Sequence, residues 1–206
     1  MDIIVYSSRT PMEEIMVKRF LNKMKRAGQH DIQQSYSFED KLFFRKGDDL
    51  SVVNQEGHLM GYIIRTYDPI DLLHYDMTKK SIYSFQDCNG EMISSVGVKR
   101  RNGLDTKGNE YLFQDHKQAV TYSLQKQKMS LTFRVKGHIN DCFFEMAEGH
   151  LKEELICRSE EKMFAVIHYD NSSYKVEIEV LYQPHSSLIH PSFLTLMYCI
   201  FRMEGK

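Results

Sequence analysis

The chain has 206 residues, with 27 Lys and Arg against 28 Asp and Glu and a formal net charge of -1. A chain of this length buries a core without disulfide or metal staples. Its near-neutral balance excludes a global field that would draw it to nucleic acid, so any electrostatic partner must be met by a local patch.

The opening Met1-Asp2-Ile3-Ile4-Val5-Tyr6 lacks the basic and apolar regions of a secretory leader, and a cytoplasmic protein is expected. Ile3 to Tyr6 read as a short strand. Thr10 then offers an N-cap, Pro11 the first helical position and Glu13 the far side of a capping box. The helix predicted from Pro11 to about Lys25 packs Ile15, Met16, Phe20, Leu21 and Met24 on one face. Its other face carries Lys18, Arg19 and Lys23, a candidate contact for a protein or membrane partner. Gly28 ends the helix, and the polar run from Gln29 to Ser37 reads as a linker. The expected organisation is an extension over 1–35 and a main domain over 36–206.

From Tyr36 onward short β-type runs alternate with turns built from an acidic or amide residue and a glycine. Leu50–Val53 and Leu59–Ile64 flank Asn54 to Gly57, and Ile82–Phe85 and Met92–Val98 flank Asp87-Cys88-Asn89-Gly90. Leu131–Val135 is followed by a predicted Lys136-Gly137 turn. Then come Cys142–Met146 with Glu148-Gly149, Met163–Tyr169 with Asp170 to Ser173, and Tyr174–Tyr182. In Leu131–Val135 and Val176–Val180 apolar and polar residues swap at period two, as in strands of a sandwich or barrel with one wet face.

After His190-Pro191, the run Phe193 to Phe201 is apolar on every side, so the helix it forms is buried on every side. It is shorter than the ~20 residues a spanning helix needs. Cys88, Cys142, Cys157 and Cys199 are too scattered for a metal knuckle or a compact disulfide frame and read as free thiols, with Cys142 expected in the core.

Many short antiparallel strands, the Asp-x-Asn-Gly turn and a terminal His190-Pro191 before an all-apolar helix are together similar to the tubby C-terminal superfamily. The likeness extends to its small LURP-one-related members and the phospholipid scramblases. It covers roughly Tyr36 to Lys206, and Tyr67 to Lys80 departs from it. It implies a mainly β fold, a closed antiparallel barrel of about twelve strands around the C-terminal helix.

None of the HExxH, HxH, CxxC, GxSxG or phosphate-loop patterns occurs, so no catalytic residue, metal or cofactor is assigned. The expected function is a non-enzymatic interaction module. Its candidate site for anionic phospholipid headgroups is Lys99, Arg100, Arg101 and Lys107 on a Gly-containing hairpin end. The alternative is a small-molecule or hydrolytic enzyme using scattered residues such as His138, Asp141 and His168 at a barrel mouth, with His138 read as lying in a turn.

Overall fold

The computed structural model describes residues 32–41, 45–66, 81–99, 109–127, 130, 132–149, 153–182, 184 and 186–204. By contacts the chain divides into two compact units, Met1–Asp31 and Ile32–Lys206. The predicted N-terminal strand and helix, with Lys18, Arg19 and Lys23, lie outside the described residues.

The second unit is mainly β. Its strands are β1 (Gln34–Glu39), β2 (Asp49–Asn54), β3 (Leu59–Arg65), β4 (Ser81–Gln86), β5 (Met92–Lys99) and β6 (Glu110–Asp115). They continue as β7 (Val120–Lys126), β8 (Arg134–Ile139), β9 (Cys142–Glu148), β10 (Glu154–Ser159), β11 (Lys162–Tyr169) and β12 (Lys175–Val180). All pair antiparallel with their neighbours in sequence, and β1 pairs β12 from Gln34↔Val180 to Glu39↔Lys175, which closes the barrel. Two helices follow, the short α1 (Ser186–Ile189) and α2 (Pro191–Met203).

The hairpin turns repeat one device. Asn54 Oδ1 accepts the N–H groups of Glu56 and His58, and Asp87 Oδ1 accepts those of Asn89 and Glu91. Asp115 Oδ1 does the same for Lys117 and Gln118, and Asp170 for Ser172. A short polar side chain thereby replaces the ladder partner that the turning backbone has lost. Hydrogen bonds from Ser172 and Ser173 hold the Asp170 carboxyl well below the usual range.

The predicted linker is corrected at its end, because Gln34 to Ser37 form part of β1 and pair with β12. The predicted Lys136-Gly137 turn is also wrong. Both residues run through the middle of β8, paired with Glu145 and Phe144, and the chain turns at Asn140 and Asp141, both at positive φ. Gly137 is a glycine because of close packing: a Cβ there would meet the Leu124 side chain and lie 2.7 Å from the Ser123 carbonyl oxygen. His138, read as turn, is therefore a strand residue.

Helix α2 runs through the barrel, and every residue from Pro191 to Phe201 is buried. Its rings meet the wall on many sides. Phe193 stands edge-on to Phe113 of β6 at 5.0 Å and to Phe144 of β9 at 4.9 Å. Tyr198 meets Phe38 of β1 at 5.4 Å, and Phe201 meets Tyr169 of β11 at 5.1 Å. Such contacts add to area burial. Thr195, the polar residue within the apolar run, donates its hydroxyl to the Pro191 carbonyl at 2.7 Å and so leaves no orphan.

Leu188, Ile189, Phe193, Leu194, Leu196, Met197, Tyr198, Ile200 and Phe201 are all buried. At about 1.5–3 kcal/mol each, their gross burial is at least comparable to the ~5–15 kcal/mol by which a domain is stable. A chain ending at His190 is expected to lose its cooperative thermal transition and aggregate, which calorimetry and light scattering read directly. For Gly137→Ala the expected loss is about 1–3 kcal/mol, measured by urea unfolding, since the Ser123 backbone must shift to admit the methyl group.

Candidate functional site

Because the strands alternate in direction, the turns β2–β3, β4–β5, β6–β7, β8–β9 and β10–β11 lie at one end of the barrel, where α2 begins. The ends of the odd-numbered strands and the starts of the even-numbered ones lie at the other, where α2 ends. Both ends of the helix are fastened by polar groups.

At the starting end His190 is the N-cap of α2. Its Nδ1 accepts from the Ser192 N–H at 3.2 Å and lies 2.7 Å from the Ser192 hydroxyl. This uses the unprotonated nitrogen, which leaves the proton of the neutral ring on Nε2. The ring stands edge-on to Phe85, and burial, reinforced by Lys117, holds its pKa below the usual histidine value, against a smaller opposing pull from Asp115. Beside it is a depression of about 180 Å³ lined by Ile93, Ser94, Phe113, Asp115, Lys117, Gln118, His190 and Ser192. The buried Ser94 hydroxyl has no hydrogen-bond partner there.

At the finishing end Asp40, just beyond β1, accepts from Arg202 Nε at 2.8 Å and from the Tyr198 hydroxyl at 3.0 Å. Glu204 accepts from Asn109, Tyr111 and Lys126. Burial alone would raise its pKa, but the bonds from Lys126, Tyr111 and Asn109 outweigh burial and hold the carboxyl below its usual value.

The third feature is a seam. The β1–β2 ladder consists of Tyr36↔Asn54 and Ser37↔Val53 and then stops, although both strands run on. A groove of about 470 Å³ opens there, lined by Ser37, Phe38, Glu39 and Lys41 on one side and Asp49, Leu50, Ser51 and Val53 on the other, with Lys175. Phe38 and Leu50 are buried and form its floor, while Glu39, Lys41, Asp49, Ser51 and Lys175 are exposed at its rim.

Of the residues singled out from sequence, Lys99 ends β5 at the finishing end of the barrel, and Arg100, Arg101 and Lys107 lie outside the described residues. The alternative enzymatic set is not brought together. His138 and Asp141 flank the β8–β9 turn at the starting end, with the His138 ring against Phe143. His168, 3.6 Å from Glu179, sits near the finish of β11 at the opposite end. Among the described residues, no three His, Cys, Asp or Glu side chains are grouped so as to hold a metal. All four cysteines are free thiols. Cys142 is half-buried rather than in the core, whereas burial pushes the Cys157 thiol up to about 12.

No protein-family model matches this chain, and no curated protein does. Among solved structures it is similar to that of an Arabidopsis thaliana protein, at 9% identity and a TM-score of 0.49, over 86% of this chain and 96% of that one. Among the described residues no helix is long and apolar enough to cross a membrane.

The two clamps give the stability a two-step acid dependence. A histidine whose folded pKa is depressed stabilises the fold above its unfolded value, about 6.5, and this contribution is lost as pH falls from there toward the folded value. The Glu204 contribution, present above the ordinary glutamate range, is lost at lower pH as its carboxylate takes up a proton. Thermal melting is expected to fall in both windows. His190→Asn, which caps without titrating, is expected to remove the first step, and Glu204→Gln to make the second shallower, since Asp87 and Asp170, also held below the usual carboxylate range, share that window.

Proposed function

We propose that this chain is a non-enzymatic interaction module of the tubby-like kind that works at its outer surface and binds anionic phospholipid headgroups through Lys99, Arg100, Arg101 and Lys107. The observation that carries this reading is the filled interior: α2 occupies the barrel with its rings on opposing walls, so recognition belongs to the outside and the ends.

The charge pattern supports one end over the other. Among the described residues, the starting end carries Glu56, Asp87, Glu91, Asp115, Asp141, Glu160 and Glu161 against Lys117 and Lys162. At the end where β5 finishes at Lys99 the described acids, among them Asp40, Asp49, Glu110, Asp170 and Glu204, are nearly matched by cations such as Lys41, Arg45, Lys46, Lys126, Lys175 and Arg202, so an anionic surface repels the starting end more strongly. Each cation near such a surface is worth about 1 kcal/mol, enough for reversible, salt-sensitive attachment of a cytoplasmic protein to a membrane face.

Co-sedimentation with phosphatidylserine-containing vesicles tests this. The chain is expected to pellet with them, less so as salt is raised, and to stay in solution with phosphatidylcholine alone. The combined Lys99→Gln, Arg100→Gln and Arg101→Gln variant is expected to bind roughly a hundredfold more weakly. Equal pelleting of both forms, or no pelleting of the parent, overturns the reading.

A further inference from the structure

The seam between β1 and β2 has a chemistry of its own. Asp40 donates its N–H to the Tyr174 carbonyl at 2.7 Å, so the backbone groups of even-numbered β1 residues turn toward β12 and those of Glu39 turn toward β2. On the other wall Arg65 donates to the Asp48 carbonyl at 3.2 Å, so even-numbered residues there turn toward β3, and those of Asp49 and Ser51 turn toward β1. Continued in register, the ladder would pair Glu39 with Ser51 and Lys41 with Asp49. It has ended by then, and the Asp49 carbonyl is taken instead by the Lys41 ammonium, reaching across the mouth at 2.8 Å.

Both walls of the groove therefore present main-chain hydrogen-bonding groups over an apolar floor of Phe38 and Leu50. An occupant that satisfies both walls must carry N–H and C=O groups alternating along two opposite edges. Among biological ligands that is an extended polypeptide. The rim has no dominant sign, with Glu39 and Asp49 against Lys41 and Lys175, so charge does not select the occupant and the backbone does.

We propose that the β1–β2 seam is a strand-accepting site that takes about four residues of an extended peptide, some 13 Å long, by β-addition to both walls, with Lys41 displaced from Asp49 as the peptide enters. The site gives the module reading a protein partner, and its test uses no membrane, so it fails or succeeds apart from the vesicle result.

A displayed random heptapeptide library is selected on the purified full chain, and the selected peptide is synthesised and titrated by fluorescence anisotropy. N-methylation of alternate backbone amides of that peptide is expected to weaken binding at least tenfold, in a way side-chain capture would not. Ser51→Ala is expected to bind as the parent does, whereas Ser51→Pro, which deletes a wall N–H, is expected to lose binding. Should Ser51→Pro fail to fold, amide hydrogen exchange of the parent decides: Glu39 and Ser51 exchange rapidly in the free chain and are protected by saturating peptide. The proposal is overturned if no peptide is selected, if N-methylation has no effect, if protection appears elsewhere, or if sedimentation shows the free chain dimerised through the seam.

Discussion

An α-helix that is apolar on all sides has to be dry on all sides, and the barrel is organised around meeting that demand. A sheet with one apolar face covers only one stripe of a helix, whereas a closed sheet covers every stripe. Twelve strands close around α2, and helix rings at Phe193, Tyr198 and Phe201 reach β6, β9, β1 and β11. The strands supply their share through Phe38, Phe113, Phe144 and Tyr169. Plug and wall are one core, and neither has another place to bury its apolar surface.

An apolar helix in a barrel has no register of its own, since a slide along the axis exchanges one set of apolar contacts for another. The polar groups at its two ends supply the missing specification. His190 caps one end, and Asp40 and Glu204 hold the other against strands distant in sequence. These bonds are modest in net energy, but a slide by one turn would leave a buried or half-buried charge without its partner, and that penalty is larger than the gain it replaces. Hydrophobic burial sets how firmly the helix stays in, and the charged clamps set where it stops.

Much of this was legible in the sequence, for reasons that can be named. The all-apolar run after Pro191 could only be enclosed, and the hairpins at Asn54 and Asp87 announced themselves through an Asx residue with a glycine three residues on. The failures have nameable causes as well. Gly137 looked like a turn because glycine usually marks one, and the tertiary neighbour that requires it, the Ser123 backbone across the β7–β8 ladder, has no local trace. β7 was missed because Val120, Thr121 and Ser123 are exposed and only Leu124 is buried, so the strand lacks an apolar face to read. β1 was partly lost among the polar residues before it, although Tyr36 and Phe38 alternate with exposed or half-buried neighbours as a strand should.

The seam could not have been read from sequence, because it is a property of closure. The ten strand junctions from β2–β3 to β11–β12 join neighbours in the chain. The β1–β12 junction joins the two ends of the sheet and carries the longest uninterrupted ladder available to β1. β1 thus stays with β12 along its whole length while its ladder with β2 stops at Ser37↔Val53, and the first half of β2 stays with β3 through Asp49↔Ile64 and Leu50↔Ile63. β1 parts from β2 and not from β12. It parts at Phe38, where the floor of the groove is still sealed against the Tyr198 ring, so main-chain groups open to the surface while the core beneath stays dry.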